Sequence, residues 1–159
     1  PNLANFAFRP DGRIVLYDFG CVKRLEPAKV EAYANIVKAA IDDDKGAIVH
    51  WMGELGALNP EGPEVPAEVW DLFRYIFIEP ILEVEEFDYG SGEIMSRFRE
   101  NQQTFVKYNR SFQPPPGGVY VDRTVVGIHN ILRKLEAQIP CESWTRTFMD
   151  LGLSARTRL

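Results

Sequence analysis

Residues 1–20 read Pro1-Asn2-Leu3-Ala4-Asn5-Phe6-Ala7-Phe8-Arg9-Pro10-Asp11-Gly12-Arg13-Ile14-Val15-Leu16-Tyr17-Asp18-Phe19-Gly20. Phe6 and Phe8 alternate with Ala7, and Arg9-Pro10-Asp11-Gly12 is a turn signal, with Gly12 free to take a positive φ. Arg13 to Tyr17 is a β-branched and aromatic run, so the stretch predicts a β-hairpin. Its apolar residues are consecutive, and the expectation is that both faces of the second strand are covered. Asp18 closes that strand with a charge, and Asn5 stands just before the first.

Antiparallel strands joined by a short turn bring their outer ends together. An amide oxygen from Asn5 and a carboxylate from Asp18 are therefore expected on one rim. These are hard oxygen ligands of the kind Mg²⁺ takes, completed by phosphates and water. In Asp18-Phe19-Gly20 the carboxylate would face the site, the ring would pack behind it and Gly20 would let the chain turn away. Protein kinases pair such an Asp-Phe-Gly with a catalytic-loop Asn. Alone, the tripeptide reads equally as the end of a strand; Asn5 at this spacing moves the reading toward a phosphate–metal site.

Beyond Gly20 the period becomes helical. Pro27 suits a first turn, and Val30, Tyr33, Ala34, Val37 and Ile41 form a stripe ended by Asp42-Asp43-Asp44. Ile48, Trp51, Met52 and Leu55 predict a second helix with Gly56 as its C-cap. Val69, Trp70, Phe73, Ile76 and Phe77 predict a third, limited by Pro80, and Ile94, Met95, Phe98 and Phe105 a fourth over Glu93–Tyr108. After the Pro114–Gly118 break, Val125, Ile128, Leu132 and Leu135 mark one face of a fifth helix, and Trp144, Phe148 and Leu151 a short sixth. The fold class is α+β and mainly helical. The chain reads as a single partial domain over 1–159, with the hairpin and metal-ligand candidates in 1–20 and helices in 21–159.

The chain has 159 residues, a formal charge of −5, 45% hydrophobic and 26% charged residues, an ordinary globular composition. No basic stripe is present, and Arg156 and Arg158 are too few for a nucleic-acid footprint. The acidic runs at 42–44 and at Glu83, Glu85, Glu86 and Asp88 read as solvated loops. Cys21 and Cys141 form no CxxC pair; they suit a reducing intracellular compartment, and Cys21 reads as a packing residue. No apolar run reaches the roughly 20 residues a transmembrane helix needs. The start at Pro1 has neither Met nor a signal pattern.

Residues 1–20 resemble the ABC1/UbiB/ADCK (AarF-domain) atypical kinases. Members typically carry Asp-Pro-His-Pro-Gly-Asn-Phe, a hairpin with Asp-Gly in its turn, then Leu-Leu-Asp-Phe-Gly. Asn2, Leu3 and Ala4 stand where His, Pro and Gly are usual; none of these is a metal ligand. Asp122-Arg123, with Gly127 following, is similar to a late family motif, and a structural role is expected for both charged residues: Asp122 at a helix N-terminus, Arg123 paired with a carboxylate.

The resemblance implies the carboxy-terminal lobe of a kinase-like domain, with Asn5 and Asp18 as ligands of Mg²⁺ and, through it, of ATP. It places the catalytic Asp just before Pro1, so this chain is expected to hold no catalytic residue of its own. A Gly-rich loop, a strand Lys and the family's Lys-x-Gly-Gln segment are absent from the sequence, and the chain by itself is expected to lack turnover. The resemblance further implies phosphoryl transfer or ATP hydrolysis supporting ubiquinone or other isoprenoid-lipid biosynthesis, a lipid or quinone precursor as acceptor, a biosynthetic protein complex as partner, and a membrane-peripheral parent. No Ala-Pro-Glu and no Ser or Thr before Ser91 provide a conventional activation segment. A nucleotide-binding pseudokinase scaffold, a small-molecule kinase of the aminoglycoside or choline type, and a non-catalytic helical interaction module stay open as alternatives.

Overall fold

The computed structural model describes residues 1–18, 20, 22–82 and 84–154. The expectations for Phe19, Cys21, Glu83, Arg156 and Arg158 lie outside the described residues.

The hairpin forms where the turn residues place it. Strands β1 (Phe6–Phe8) and β2 (Ile14–Leu16) pair antiparallel in the register Phe6↔Leu16, Ala7↔Val15, Phe8↔Ile14. Gly12 takes φ +80°, and its N–H donates to the Arg9 carbonyl at 3.0 Å. Asp11 anchors the turn through ion pairs to Arg9 at 3.6 Å and Arg13 at 3.3 Å. The second strand is not covered on both faces: Ile14 is 64% and Tyr17 66% exposed. Consecutive apolar residues gave that expectation, but a two-stranded ribbon has too little partner surface within these residues to meet it.

Helix α1 (Pro27–Ile41) starts on Pro27, as predicted, and α2 (Lys45–Leu55) ends on Gly56 at φ +78°. The acidic run between them is more than a solvated loop, because the Asp44 carboxylate caps α2 by accepting from Ala47 N at 2.9 Å. Helix α3 (Ala67–Phe77) is followed by the short α4 (Glu79–Leu82), which contains Pro80 in its first turn. Helix α5 (Glu93–Lys107) matches its expected span to within one residue. Strands β3 (Phe87–Asp88) and β4 (Gln138–Ile139) form a second antiparallel pair that two-residue segments could not announce. Helix α6 (Gly118–Lys134) lies between these two strands in sequence, and α7 (Cys141–Leu153) follows β4.

The core has three apolar clusters. Ala39, Ala40, Ile48 and Trp70 join α1, α2 and α3; Ile76, Phe87, Ile94 and Cys141 join α3, β3, α5 and α7; Ala32, Leu55 and Ala57 seal α1 against α2. Helix α1 packs on α7 where Gly152 meets Ala34: a Cβ on Gly152 would lie 2.6 Å from the Ala34 methyl carbon. The loop after α2 is pinned to the segment before α6. Ser111, almost fully buried, donates to the Pro63 carbonyl at 2.7 Å, and Leu58 bridges Phe112.

The periods of α6 and α7 are as read, but the stripes point the other way. Val125 is 62% and Phe148 68% exposed, and Trp144, Ile128, Leu135 and Leu151 are exposed as well. The buried residues of these helices are Gly118, Ile131, Cys141 and Gly152. Small side chains let α7 approach its neighbour closely, so they and not the large apolar ones define the inward face.

Candidate functional site

The two ends of the hairpin meet. The Asn5 side-chain amide donates to Asp18 Oδ2 at 3.2 Å, across thirteen positions of sequence. Register fixes this meeting, since Phe6 lies opposite Leu16 and Tyr17 N donates to the Asn5 carbonyl at 2.9 Å. Asp18 is exposed, and its Oδ1 accepts from Gly20 N at 2.7 Å, which aims the carboxylate along the rim. Each carboxylate oxygen has one protein donor and keeps acceptor capacity for a further partner.

Upstream of Asn5, a single 3₁₀ turn, Leu3–Asn5, sets the amide in place. Asn2 takes over the shaping of this loop: its side-chain oxygen accepts from Ala4 N at 3.1 Å and its carbonyl from Asn5 N at 2.9 Å.

The rim opens on a groove of about 660 Å³. One wall is the hairpin end, with Asn5, Phe6, Leu16 and Asp18; the other is the first half of α6. Tyr120, Arg123 and Thr124 of α6 face it, and Lys23 reaches across, its ammonium 5.9 Å from the centre of the Tyr120 ring. Helix α6 can come this close because Gly127 has no side chain: a Cβ there would lie 2.5 Å from Pro1 Cδ.

Asp122 and Arg123 part company on the helix. Asp122 turns to Tyr33, whose hydroxyl is pushed up by burial and then by the Asp122 charge. It sits a full turn beyond the start of α6 at Gly118, not at the helix N-terminus as expected. Arg123 forms no ion pair among the described residues, which corrects the expectation of a carboxylate partner. Its presence in the groove was not readable from the sequence, because more than a hundred residues separate it from Asp18.

A carboxylate and an amide on an open rim fit Mg²⁺, which takes a few protein oxygens and fills its octahedron with phosphate and water. No group of three or more His, Cys, Asp or Glu side chains placed to hold a metal occurs among the described residues. Among these residues, no helix is long and apolar enough to cross a membrane.

Residues 1–52, which hold the hairpin, Lys23, α1 and most of α2, match the ABC1 atypical kinase-like domain. The match is to the family, at low identity, and to no single member of it. Over 147 residues the chain is 24% identical to the mitochondrial atypical kinase coq-8 of Caenorhabditis elegans, covering 89% of this chain and 19% of that protein. It is 25% identical over 143 residues to the mitochondrial atypical kinase COQ8B of Rattus norvegicus, covering 89% of this chain and 27% of that protein. The chain thus spans less than a third of the length of these curated relatives. The α+β, mainly helical fold is consistent with the ABC1 likeness, and Asn5 and Asp18 both lie inside the matched residues.

Proposed function

We propose that the chain is the carboxy-terminal part of an ABC1/UbiB-type atypical kinase or ATPase domain, a C-lobe whose hairpin carries the metal ligands. The observation that carries this reading is the meeting of Asn5 and Asp18 at the mouth of a groove, within the segment that resembles the family. Asp18 supplies a carboxylate oxygen and Asn5, turning its amide, a neutral one. These two oxygens would hold Mg²⁺, which would supply positive charge to offset that of a bound phosphoryl group. Gly20 N fixes the carboxylate by its bond to Oδ1, and the Pro1–Asn5 loop, packed on Gly127, fixes the amide.

The proposed reaction is Mg·ATP-dependent phosphoryl transfer or ATP hydrolysis by the whole parent protein. From the family resemblance of residues 1–20 we further propose a place in ubiquinone or other isoprenoid-lipid biosynthesis, with a lipid or quinone precursor as acceptor, in a reducing intracellular compartment. A second reading, a nucleotide-binding pseudokinase scaffold, is favoured by one feature. Among the described residues, Asp18 is the only carboxylate side chain lining the groove, so those residues bring no second carboxylate to act as a general base.

Mg²⁺-dependent ATP hydrolysis by the full-length parent, wild type beside Asp18→Asn, tests the proposal. Hydrolysis that disappears in the variant, with its fold intact, supports it. Hydrolysis unchanged in the variant overturns the metal site. Nucleotide binding without turnover in the wild type moves the assignment to the scaffold.

A further inference from the structure

The groove is built with more positive charge than its hydrogen bonds use. Among the described residues, its charged side chains are Asp18, Lys23 and Arg123. Asp18 is engaged with Asn5 and Gly20, while neither Lys23 nor Arg123 forms an ion pair among the described residues. Lys23 is held instead over the ring of Tyr120, on the same face of α6 as Arg123 one turn further along. Two like charges on one wall repel each other, and an anion lying between them turns that cost into attraction. The neighbouring Thr124 hydroxyl is already committed to the Tyr120 carbonyl at 2.8 Å, which leaves the two cations and the Tyr120 hydroxyl as the donors of this wall that no hydrogen bond among the described residues uses. Arg123 lies outside residues 1–52, which match the ABC1 domain, and the late-motif resemblance of Asp122-Arg123 implies only a structural role for it.

We propose that Lys23 and Arg123 are the anion-holding edge of the groove and grip the terminal phosphates of a nucleoside polyphosphate across from the Asn5–Asp18 pair. This rests on the reading of the groove as a Mg·ATP site and adds a recognition element to it. The guanidinium presents a planar fork to two phosphate oxygens, and the ammonium a mobile point charge. Both are positioning residues. The helix brings Arg123 to the phosphates only because Gly127 lets α6 lie under the loop that carries Asn5.

The test is a binding titration on the full-length parent, with ATP, ADP, AMP and adenosine in the presence of Mg²⁺, comparing wild type, Arg123→Gln, Lys23→Gln, Arg123→Lys and Asp18→Asn. Removing one charged contact to phosphate is expected to weaken ATP about tenfold or more. The loss is expected to shrink for ADP and vanish for AMP and adenosine, with Arg123→Lys intermediate for ATP. An equal loss for all four ligands would mean a general structural effect and would overturn the proposal. Unchanged ATP affinity in Arg123→Gln and Lys23→Gln, with Mg²⁺ dependence lost in Asp18→Asn, would overturn this inference and leave the metal site standing. A wild-type protein that binds no nucleotide would overturn both.

Discussion

Gly127 lies directly under Pro1, at a distance that a single added methyl group would close to 2.5 Å. The contact fixes the loop that carries Asn5 against the helix that carries Arg123. Gly127→Ala gains about 1 kcal/mol of helix propensity but overpacks by about 1–3 kcal/mol. The expected outcome is a lower melting temperature together with weaker Mg·ATP binding in the full-length protein. Gly53→Ala is the control: it is also helical, nothing lies within 4 Å of its added methyl, and it should raise stability by about 0.5–1 kcal/mol.

Asn5 and Asp18 should act as one unit. Asp18→Asn is expected to lower Mg²⁺-dependent turnover by about a hundredfold or more, and Asn5→Ala by less. The double variant should be hardly worse than Asp18→Asn alone, because both side chains serve the same cation. Additive losses in a double-mutant cycle would show that the two residues serve different partners.

Ser111 is a small buried polar group with a demanding position. Ser111→Ala leaves the Pro63 carbonyl without its 2.7 Å donor, at an expected cost of about 1–3 kcal/mol. Urea unfolding should show a lower midpoint at an unchanged slope. A midpoint equal to wild type would mean that water replaces the hydroxyl.

His129 gives stability a pH dependence. Burial, and next the Arg133 charge, hold the imidazole below its ordinary value of 6.5. Its ring meets Tyr89 edge-on, and its Nε2 is buried with no hydrogen-bond partner among the described residues. The unfolded chain therefore takes up a proton at a higher pH than the folded one. The contribution of His129 is complete above about 6.5 and is lost as pH falls from there toward the folded-state value. Thermal melts of wild type and His129→Gln should diverge in slope against pH only within that window. Parallel curves would remove His129 as the source.

The hairpin, the six predicted helical segments and the meeting of Asn5 with Asp18 were legible because each follows from short-range rules. Turn chemistry, a 3.6-residue period and antiparallel register all act within about twenty residues. The inward faces of α6 and α7 were not legible. Val125, Trp144 and Phe148 are what a search for apolar spacing finds, while Gly152 and Cys141, which make the contacts, carry little hydrophobic signal. Asp44 as a cap was hidden inside an acidic run. The far wall of the groove was hidden by distance, since nothing in the order of residues says that Lys23, Tyr120 and Arg123 share a surface.

A ribbon of two three-residue strands is held by few backbone bonds and has water on much of its surface. Segments of this kind open and close many times for each unfolding of the helices behind them. The amides of Ala7 to Val15 should therefore exchange their hydrogens for solvent deuterium well before those around Ile76. A nucleotide clasped at the base of the hairpin would slow that exchange, so the strands that present the ligands would also report, without any label, when they are filled.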